Sequence, residues 1–266
     1  MPDQLTAWLC RLRHSLWYLV TVPRCCGCGQ YLPPSRTVLC DECRLRYEMV
    51  RGQRCAICER PMDQCRCTPH VLERAGIRTL LKLHRYDVGG SEAAEDQMLY
   101  VLKRRNHAGL ERFYAAELAQ NIRALLAEQP GNWVIVPVPR THRARATYGY
   151  DHVERLASRV SRMLDVPYLP VLHRCHFGRE QKYLSAEERR RNVEGAFFCK
   201  RGTDLRGRRV LLLDDVVTTG ATLAACTKPL HLAGARRICA AVIAIAYRNS
   251  AYRPAPDACL FPPADG

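Results

Sequence analysis

The stretch that decides the fold is Val210-Leu211-Leu212-Leu213-Asp214-Asp215-Val216-Val217-Thr218-Thr219-Gly220-Ala221-Thr222, and a helical segment follows from Leu223. Four consecutive apolar residues precede the two acids. This pattern predicts a strand that is buried on both faces, as in a parallel α/β sheet. The loop that follows the strand then lies at the carboxyl edge of the sheet, and we place the candidate site there.

The turn at residues 218–222 opens the next helix. Its backbone N–H groups, its hydroxyls and the positive end of the helix dipole suit one phosphate group. Asp214 and Asp215 repel a phosphate, but paired carboxylates accept hydrogen bonds well from vicinal hydroxyls. A ribose with a 5′-phosphate satisfies both halves of the pattern. The alternative, a purely structural loop, gives no reason for two adjacent acids before a hydroxyl-rich turn.

These residues resemble the phosphoribosyl pyrophosphate (PRPP) signature of the type I phosphoribosyltransferases. The same pattern occurs in PRPP synthetases and in regulators that kept the fold, so it indicates the ligand class better than the reaction. The resemblance implies an α/β fold with a parallel sheet flanked by helices, and Mg2+ bound together with PRPP. It implies catalytic roles for Asp214 and Asp215 and further PRPP-binding residues at Thr218, Thr219, Gly220, Ala221 and Thr222.

Cysteine is the second unusual feature, because nine of the 15 cysteines fall between Cys25 and Cys67. Eight of them form the pairs Cys25-x-x-Cys28, Cys40-x-x-Cys43, Cys55-x-x-Cys58 and Cys65-x-Cys67. A CxxC pair turns two thiolates toward one zinc ion, and two pairs complete a tetrahedron. We therefore predict one or two structural Zn2+ sites, with Cys25, Cys28, Cys40 and Cys43 in the first and Cys55, Cys58, Cys65 and Cys67 in the second.

The spacing leaves alternatives open for these cysteines. An interleaved pairing would use the same residues in different sets. Cys26 could replace Cys25 if the first pair is shifted by one residue, and the one-residue spacer in Cys65-x-Cys67 makes the second site less regular. A disulfide-stapled fold is the remaining alternative, and it is disfavoured because no signal peptide is visible at the N-terminus.

Further segments narrow the resemblance. The strand-like Val134-Ile135-Val136-Pro137-Val138-Pro139-Arg140 precedes an Arg-rich loop, and Gln181-Lys182-x-Leu184-Ser185-x-x-Glu188-Arg189-x-x-Asn192 comes later. In this order, with the cysteine-rich head and the PRPP turn, these segments resemble the ComF/GntX family over about residues 17–247. The resemblance implies zinc-bearing proteins with a phosphoribosyltransferase fold, linked in competent bacteria to the handling of incoming DNA.

The chain departs from the related families in two places. Many ComF/GntX relatives read Gly-Phe-Asn-Gln where this chain has Gly149-Tyr150-Asp151-His152, so the chemistry of that loop differs. The 6-oxopurine transferases carry a carboxylate at the position of Thr218. Because a threonine cannot exchange a proton with a purine ring nitrogen in the same way, purine salvage is disfavoured.

Positive charge is concentrated near the candidate site. The chain has 41 Lys and Arg against 26 Asp and Glu, a net charge of +15. The candidates for binding a pyrophosphate are Arg140, Arg143, Arg145 and Lys182, and Lys103-Arg104-Arg105 is a candidate for a hood over the site. Loops this basic suit a pyrophosphate and suit a nucleic-acid backbone equally well. A solvated basic face is the structural alternative.

The expected organisation has three parts: an N-terminal helix and double zinc ribbon at residues 1–72, a phosphoribosyltransferase-like domain at 73–250 and a loose tail at 251–266. Residues 238–246 predict a further strand and residues 110–128 an amphipathic helix. No apolar run is long enough to span a membrane. We expect a cytoplasmic protein.

Two functions follow from the sequence. The first is Mg2+-dependent transfer of the ribose 5-phosphate group from PRPP to an acceptor, with release of pyrophosphate. The second is a binding protein of DNA uptake that senses PRPP or holds single-stranded DNA, with contacts to DNA-uptake proteins. The sequence does not identify the acceptor.

Overall fold

The structure is a computed structural model that describes residues 23–33, 38–86, 93–175 and 196–246, without the side chains of residues 142 and 143. Its helices are α1 (Asp41–Gly52), α2 (His70–Arg74), α3 (Ala94–Arg104), α4 (Ala108–Glu128), α5 (His142–Tyr148), α6 (His152–Leu164) and α7 (Ala221–Leu232). Its strands are β1 (Leu80–Tyr86), β2 (Trp133–Pro137), β3 (Leu172–Arg174), β4 (Phe197–Cys199), β5 (Arg209–Val217) and β6 (Arg237–Ala246).

Four parallel strands form the central sheet in the order β1-β6-β5-β2. The apolar residues before the acid pair are buried in β5, and the strand expected at residues 238–246 is β6. Near-continuous apolar runs in strands are typical of parallel sheets covered on both faces. The predicted α/β class is therefore confirmed, and β3 and β4 add a small antiparallel ribbon beside it.

Two hydrophobic cores lie on the two faces of this sheet. Leu211 and Leu213 of β5 pack in one core with α1, α3, α4 and α6, whereas Val210 and Leu212 pack in the other core with α2 and α7. This division follows from the alternation of side chains along a strand. The helix predicted at residues 110–128 is α4, which begins two residues earlier and buries Leu118, Ile122 and Leu125.

The cysteine-rich segment, which runs from Cys25 to the end of α2, contributes residues to both cores. Cys25 and Cys43 lie in the core that includes α4, and Cys55 and Cys65 lie in the core that includes α7. The segment thus contributes to the cores that cover the sheet. The boundaries near residues 72 and 250 stay predictions, and residues 1–22 and 247–266 lie outside the described residues. No helix in the described ranges is both long and apolar enough to cross a membrane.

Candidate functional site

The acid pair lies in the last part of β5, where β6 still pairs with this strand but β2 no longer does. β2 pairs with β5 as far as Leu213, whereas β6 continues to pair with it as far as Val217. The two carboxylates bind backbone groups that follow them: the Asp215 N–H donates to Asp214 Oδ1 over 2.8 Å, and the Val216 N–H donates to Asp215 Oδ1 over 2.6 Å. These bonds fix one oxygen of each acid and leave the other for further partners.

The second oxygen of Asp215 has two partners from different helices. His152 Nε2, at the start of α6, lies 2.6 Å from Asp215 Oδ2, and Lys103 Nζ, near the end of α3, lies 3.5 Å from the same atom. Burial raises the pKa of Asp215, but the His152 hydrogen bond and the Lys103 ammonium outweigh it, so this pKa lies well below its ordinary value. Asp215 is therefore the ionised member of the pair.

Asp214 responds in the opposite direction. Burial, and then the charge of Asp215, raise the pKa of the Asp214 carboxyl well above its ordinary value. Adjacent acids whose environments push their pKa values apart are able to take different roles at one pH. Here Asp215 keeps its charge, and Asp214 is the member that more readily holds a proton.

The turn after β5 begins α7. Thr218 and Thr219 are exposed, and the Ala221 N–H donates to Thr219 Oγ1 over 3.3 Å. Gly220 caps the helix with φ +83°, a left-handed conformation that favours glycine. A Cβ at this position would lie 2.9 Å from Leu72 Cγ, so α2 of the cysteine-rich segment packs directly against the turn. The turn residues expected to hold a phosphate thus lie together at the helix N-terminus.

The first cysteine cluster brings together Cys25, Cys28, Cys40 and Cys43, whose sulfur atoms all lie within 4.8 Å of one another. Cys40 Sγ is 3.8 Å from both Cys25 Sγ and Cys28 Sγ. A tetrahedral zinc site with Zn–S bonds of about 2.3 Å has sulfur–sulfur edges of about 3.8 Å, so this donor set fits the ion.

Backbone N–H groups surround the sulfurs of this cluster. The N–H groups of Gly27 and Cys40 approach Cys25 Sγ within 3.4 and 3.3 Å. Burial raises the pKa of Cys25, yet backbone hydrogen bonds from Cys28, Cys40 and Gly27 lower it overall to about 7. Cys26 lies outside the cluster, and burial followed by the charge of Cys25 raises its pKa to about 12. The cluster therefore favours a thiolate at Cys25 and a neutral thiol at Cys26.

The second cluster contains Cys55, Cys58, Cys65 and Cys67, again with all sulfurs within 4.8 Å. Hydrogen bonds from Cys65 and Cys67 hold the pKa of Cys55 far below its ordinary value, against the effect of burial. None of the 13 cysteines within the described ranges forms a disulfide. Both clusters could hold a metal ion, and both group the cysteines that are neighbours in sequence.

The two clusters repeat one local geometry. The Gly29 N–H donates to the Cys25 carbonyl and the Glu59 N–H donates to the Cys55 carbonyl, each over 2.9 Å. The guanidinium groups of Arg24 and Arg54 donate to the carbonyls of Gly29 and Glu59 over 3.3 and 3.1 Å. Gly29 and Glu59 both have positive φ, +78° and +56° respectively. The same knuckle is thus built twice, with glycine in the first copy and glutamate in the second.

The comparisons with known proteins agree with this architecture. A family model described as the phosphoribosyl transferase domain matches residues 154–261, which include β5 and the turn. Competence protein F of Haemophilus influenzae is 38% identical over 106 residues, covering 39% of this chain and 46% of that protein. Competence protein ComFC of Bacillus subtilis is 25% identical over 194 residues, covering 72% of this chain and 77% of that protein.

The chain resembles the ComF competence proteins, and one region of it matches the phosphoribosyl transferase domain. Its match spans about half of the Haemophilus relative and about three quarters of the Bacillus relative. Among solved structures, an adenine phosphoribosyltransferase aligns with a TM-score of 0.36 and 12% identity, covering 52% of this chain and 70% of that one. The resemblance to the ComF family inferred from the sequence is confirmed.

The basic residues expected to bind pyrophosphate have different surroundings in the structure. Arg140 reaches the Lys103 carbonyl over 3.5 Å and lies over the ring of Tyr148. Arg145 instead pairs with Asp151 over 3.0 Å and with Glu154, so two acids balance its charge. The side chain of Arg143 and the whole of Lys182 lie outside the described residues. Of the four candidates, Arg140 is the one that the structure places beside Lys103.

Two contributors were not identified as site residues from the sequence. His152 was noted only as a departure from the related families, yet it contacts Asp215 directly. Lys82 of β1 is fully buried, and its Nζ donates to the carbonyls of Cys65 and Cys67 over 3.2 and 2.8 Å. The sequence signal that could have identified Lys82 is a lysine inside a buried strand, because a charged residue is almost never fully buried without partners.

Proposed function

We propose that this protein binds PRPP with Mg2+ at the carboxyl end of β5 and transfers its phosphoribosyl group to an acceptor, with release of pyrophosphate. The observation that carries the proposal is the order of the acidic and hydroxyl-bearing residues at the carboxyl end of β5. An ionised Asp215 and a more proton-retaining Asp214 come just before a hydroxyl-rich turn at the N-terminus of α7. Carboxylates suit ribose hydroxyls, and the turn suits a phosphate.

The chain's own residues divide the work of binding. The turn at residues 218–222 holds the 5′-phosphate through backbone N–H groups and hydroxyls. Asp214 and Asp215 accept the ribose hydroxyls and fix the sugar relative to the leaving group. Lys103 and Arg140, which lie beside each other, stabilise the charge that develops on the departing pyrophosphate. Mg2+ supplied with PRPP would neutralise part of the same charge.

The cellular role follows from the relatives rather than from the site. The Haemophilus and Bacillus proteins are named competence proteins. We infer that this protein acts in the uptake or use of DNA in the cytoplasm. We infer also that its two cysteine clusters each hold a structural zinc ion, because all four positions around each ion are filled by sulfur and none remains for water.

A pyrophosphate-release assay tests transfer. Wild-type protein loaded with zinc is mixed with PRPP, Mg2+ and a panel of nucleobases or single-stranded DNA. The Asp214→Asn/Asp215→Asn variant should lose release, whereas Asp204→Asn should not, because Asp204 is an exposed acid paired with Arg206. Acceptor-dependent release from the wild type supports transfer. PRPP binding without release for any acceptor would replace transfer by a sensing or accessory role.

A second candidate function is an accessory that holds single-stranded DNA. The observation that favours it is an aromatic and basic surface beside the acid pair. Arg104 lies 4.7 Å from the ring centre of Tyr100, which is 48% exposed. The ring centre of Tyr148 lies 5.9 Å from Arg104 and 5.4 Å from Arg140. Bases stack on aromatic rings while arginines neutralise the backbone, largely without regard to sequence.

Fluorescence anisotropy with a labelled oligonucleotide tests this candidate. Tyr100→Ala/Tyr148→Ala should weaken binding by about tenfold or more, as for the loss of one to two stacked bases. The control is Tyr31→Ala, which removes a more exposed ring from the first cysteine knuckle. Equal affinity of both variants and the wild type would remove this surface as the DNA site.

A further inference from the structure

The tripeptide Tyr150-Asp151-His152, at which this chain departs from many relatives, contacts three different parts of the site. The Tyr150 hydroxyl donates to the carbonyl of Leu102, next to Lys103, over 3.0 Å. Asp151 Oδ1 caps α6 by accepting from the N–H groups of Val153 and Glu154 over 3.0 and 3.1 Å. His152 binds Asp215. Three consecutive side chains thus join α3, α6 and β5.

The position of His152 is fixed from both sides. Asp151 Oδ2 accepts from the Arg140 N–H over 3.2 Å and from Arg145 Nε over 3.0 Å, so the residue before the histidine is anchored. The His152 side chain is fully buried as the first residue of α6. Its imidazole therefore has little freedom to leave Asp215, and the 2.6 Å contact from Nε2 is a built feature of the site.

Only one ring nitrogen of His152 has a partner among the described residues. Nε2 contacts Asp215, whereas Nδ1 is buried and has no hydrogen-bond partner there. The contact with Asp215 is therefore the polar contact that fixes the direction of the ring.

Lys103 differs from His152 in its exposure and in its distance from Asp215. Its side chain is 35% exposed and its Nζ is 3.5 Å from Asp215, compared with no exposure and 2.6 Å for His152. One partner is thus buried and close to Asp215, and the other is partly exposed and farther from it. An incoming anion is able to attract the lysine without disturbing the histidine.

We propose that His152 is a positioning residue that holds the Asp215 carboxylate in place, so that Lys103 is free to turn from Asp215 to the pyrophosphate of the ligand. The role deepens the proposed function and rests on it. Asp215 then meets the ribose hydroxyls in a fixed orientation after its cationic partner has left. A glutamine side chain also carries an N–H donor on a terminal nitrogen, so it is able to fill the same position.

Isothermal titration of zinc-loaded, full-length variants with PRPP and Mg2+ tests this role. His152→Leu removes the donor and fills its place with an apolar side chain. It should weaken PRPP binding by about tenfold or more, the scale of one lost charge-assisted hydrogen bond. His152→Gln should recover most of the wild-type affinity. His173→Leu is the matched control, because His173 is exposed and stacks on Phe198.

The outcomes separate this role from the proposed function. If the wild type fails to bind PRPP, the proposed function fails before any variant is compared. If the wild type binds and His152→Leu binds equally well, or if Gln rescues no better than Leu, the positioning role is wrong.

A second measurement applies if His152→Leu does not fold. In 15N spectra of the histidine rings, the wild-type His152 should show a protonated Nε2 whose signal moves in Asp215→Asn. A signal unchanged by Asp215→Asn would contradict the role.

Discussion

Leu72 of α2 lies against Gly220 of the turn so closely that a Cβ on the glycine would be 2.9 Å from the leucine Cγ. These two residues join the cysteine-rich segment to the turn that begins α7. Leu72 is fully buried, and it shares its core with Cys55, Cys65 and Leu223. The second cysteine cluster and the turn that begins α7 are therefore parts of one packed unit.

Replacement of Gly220 tests this contact. Gly220→Ala should lower the free energy of unfolding by about 1–2 kcal/mol for the left-handed conformation alone, and the overlap with Leu72 should add to this loss and weaken PRPP binding. Gly207→Ala is the control, since Gly207 has φ +70° and nothing within 4 Å of an added Cβ. Chemical denaturation and PRPP titration measure both effects. Equal losses in the two variants would show that the Leu72 contact carries no cost.

Metal content tests the pairing of the cysteines. Cys25→Ser/Cys28→Ser and Cys55→Ser/Cys58→Ser should each lose about one zinc per chain, because each pair belongs to one closed site. Cys26→Ser should keep the full content, since Cys26 lies outside both clusters. Elemental analysis of purified protein measures the content. Loss of all the zinc from either double variant would indicate shared or interleaved ligands.

The repeated knuckle allows a test by exchange of equivalent residues. Glu59 adopts φ +56° where the first knuckle has Gly29. Glu59→Gly should raise the free energy of unfolding by about 0.5–1 kcal/mol, because the relief of the left-handed conformation exceeds the added entropy of the unfolded chain. Gly29→Ala should lower it. Thermal and chemical unfolding of both variants measure the change, and destabilisation by Glu59→Gly would contradict this reading of the knuckle.

Lys82 allows a test of how the second cluster is supported. Lys82→Met should cost about 1–3 kcal/mol, because the carbonyls of Cys65 and Cys67 lose a buried charged donor. Zinc should then leave the second cluster faster than the first when a chelator is added. Lys228→Met, at an exposed lysine of α7, is the control. Equal release rates in the wild type and Lys82→Met would show that the lysine does not support the cluster.

The sequence predicted the parts of the site that depend on neighbouring residues. The apolar run, the acid pair and the turn lie within 13 consecutive residues, so a local pattern was enough to predict a buried strand and the turn after it. The cysteine pairs are local in the same way. Each expected set of four lies together in the structure.

The contacts that the sequence did not predict join residues far apart in the chain. His152 and Asp215 are 63 residues apart, and neither residue type specifies the other. The contact of Leu72 with Gly220 depends on how α2 packs against α7, which no local periodicity encodes. Arg145 was expected to face a pyrophosphate, but Asp151 and Glu154 lie close enough to bind it once α5 and α6 are in place.

The most direct test of the central claim is isothermal titration of PRPP with Mg2+ into the zinc-loaded wild type and into Asp214→Asn/Asp215→Asn. We predict saturable binding at one site per chain by the wild type. We predict loss of that binding in the variant, whose unfolding transition and zinc content should match those of the wild type. Unaltered PRPP affinity in the variant would contradict the assignment of the acid pair to the ribose, and absence of binding by the wild type would contradict the PRPP site itself.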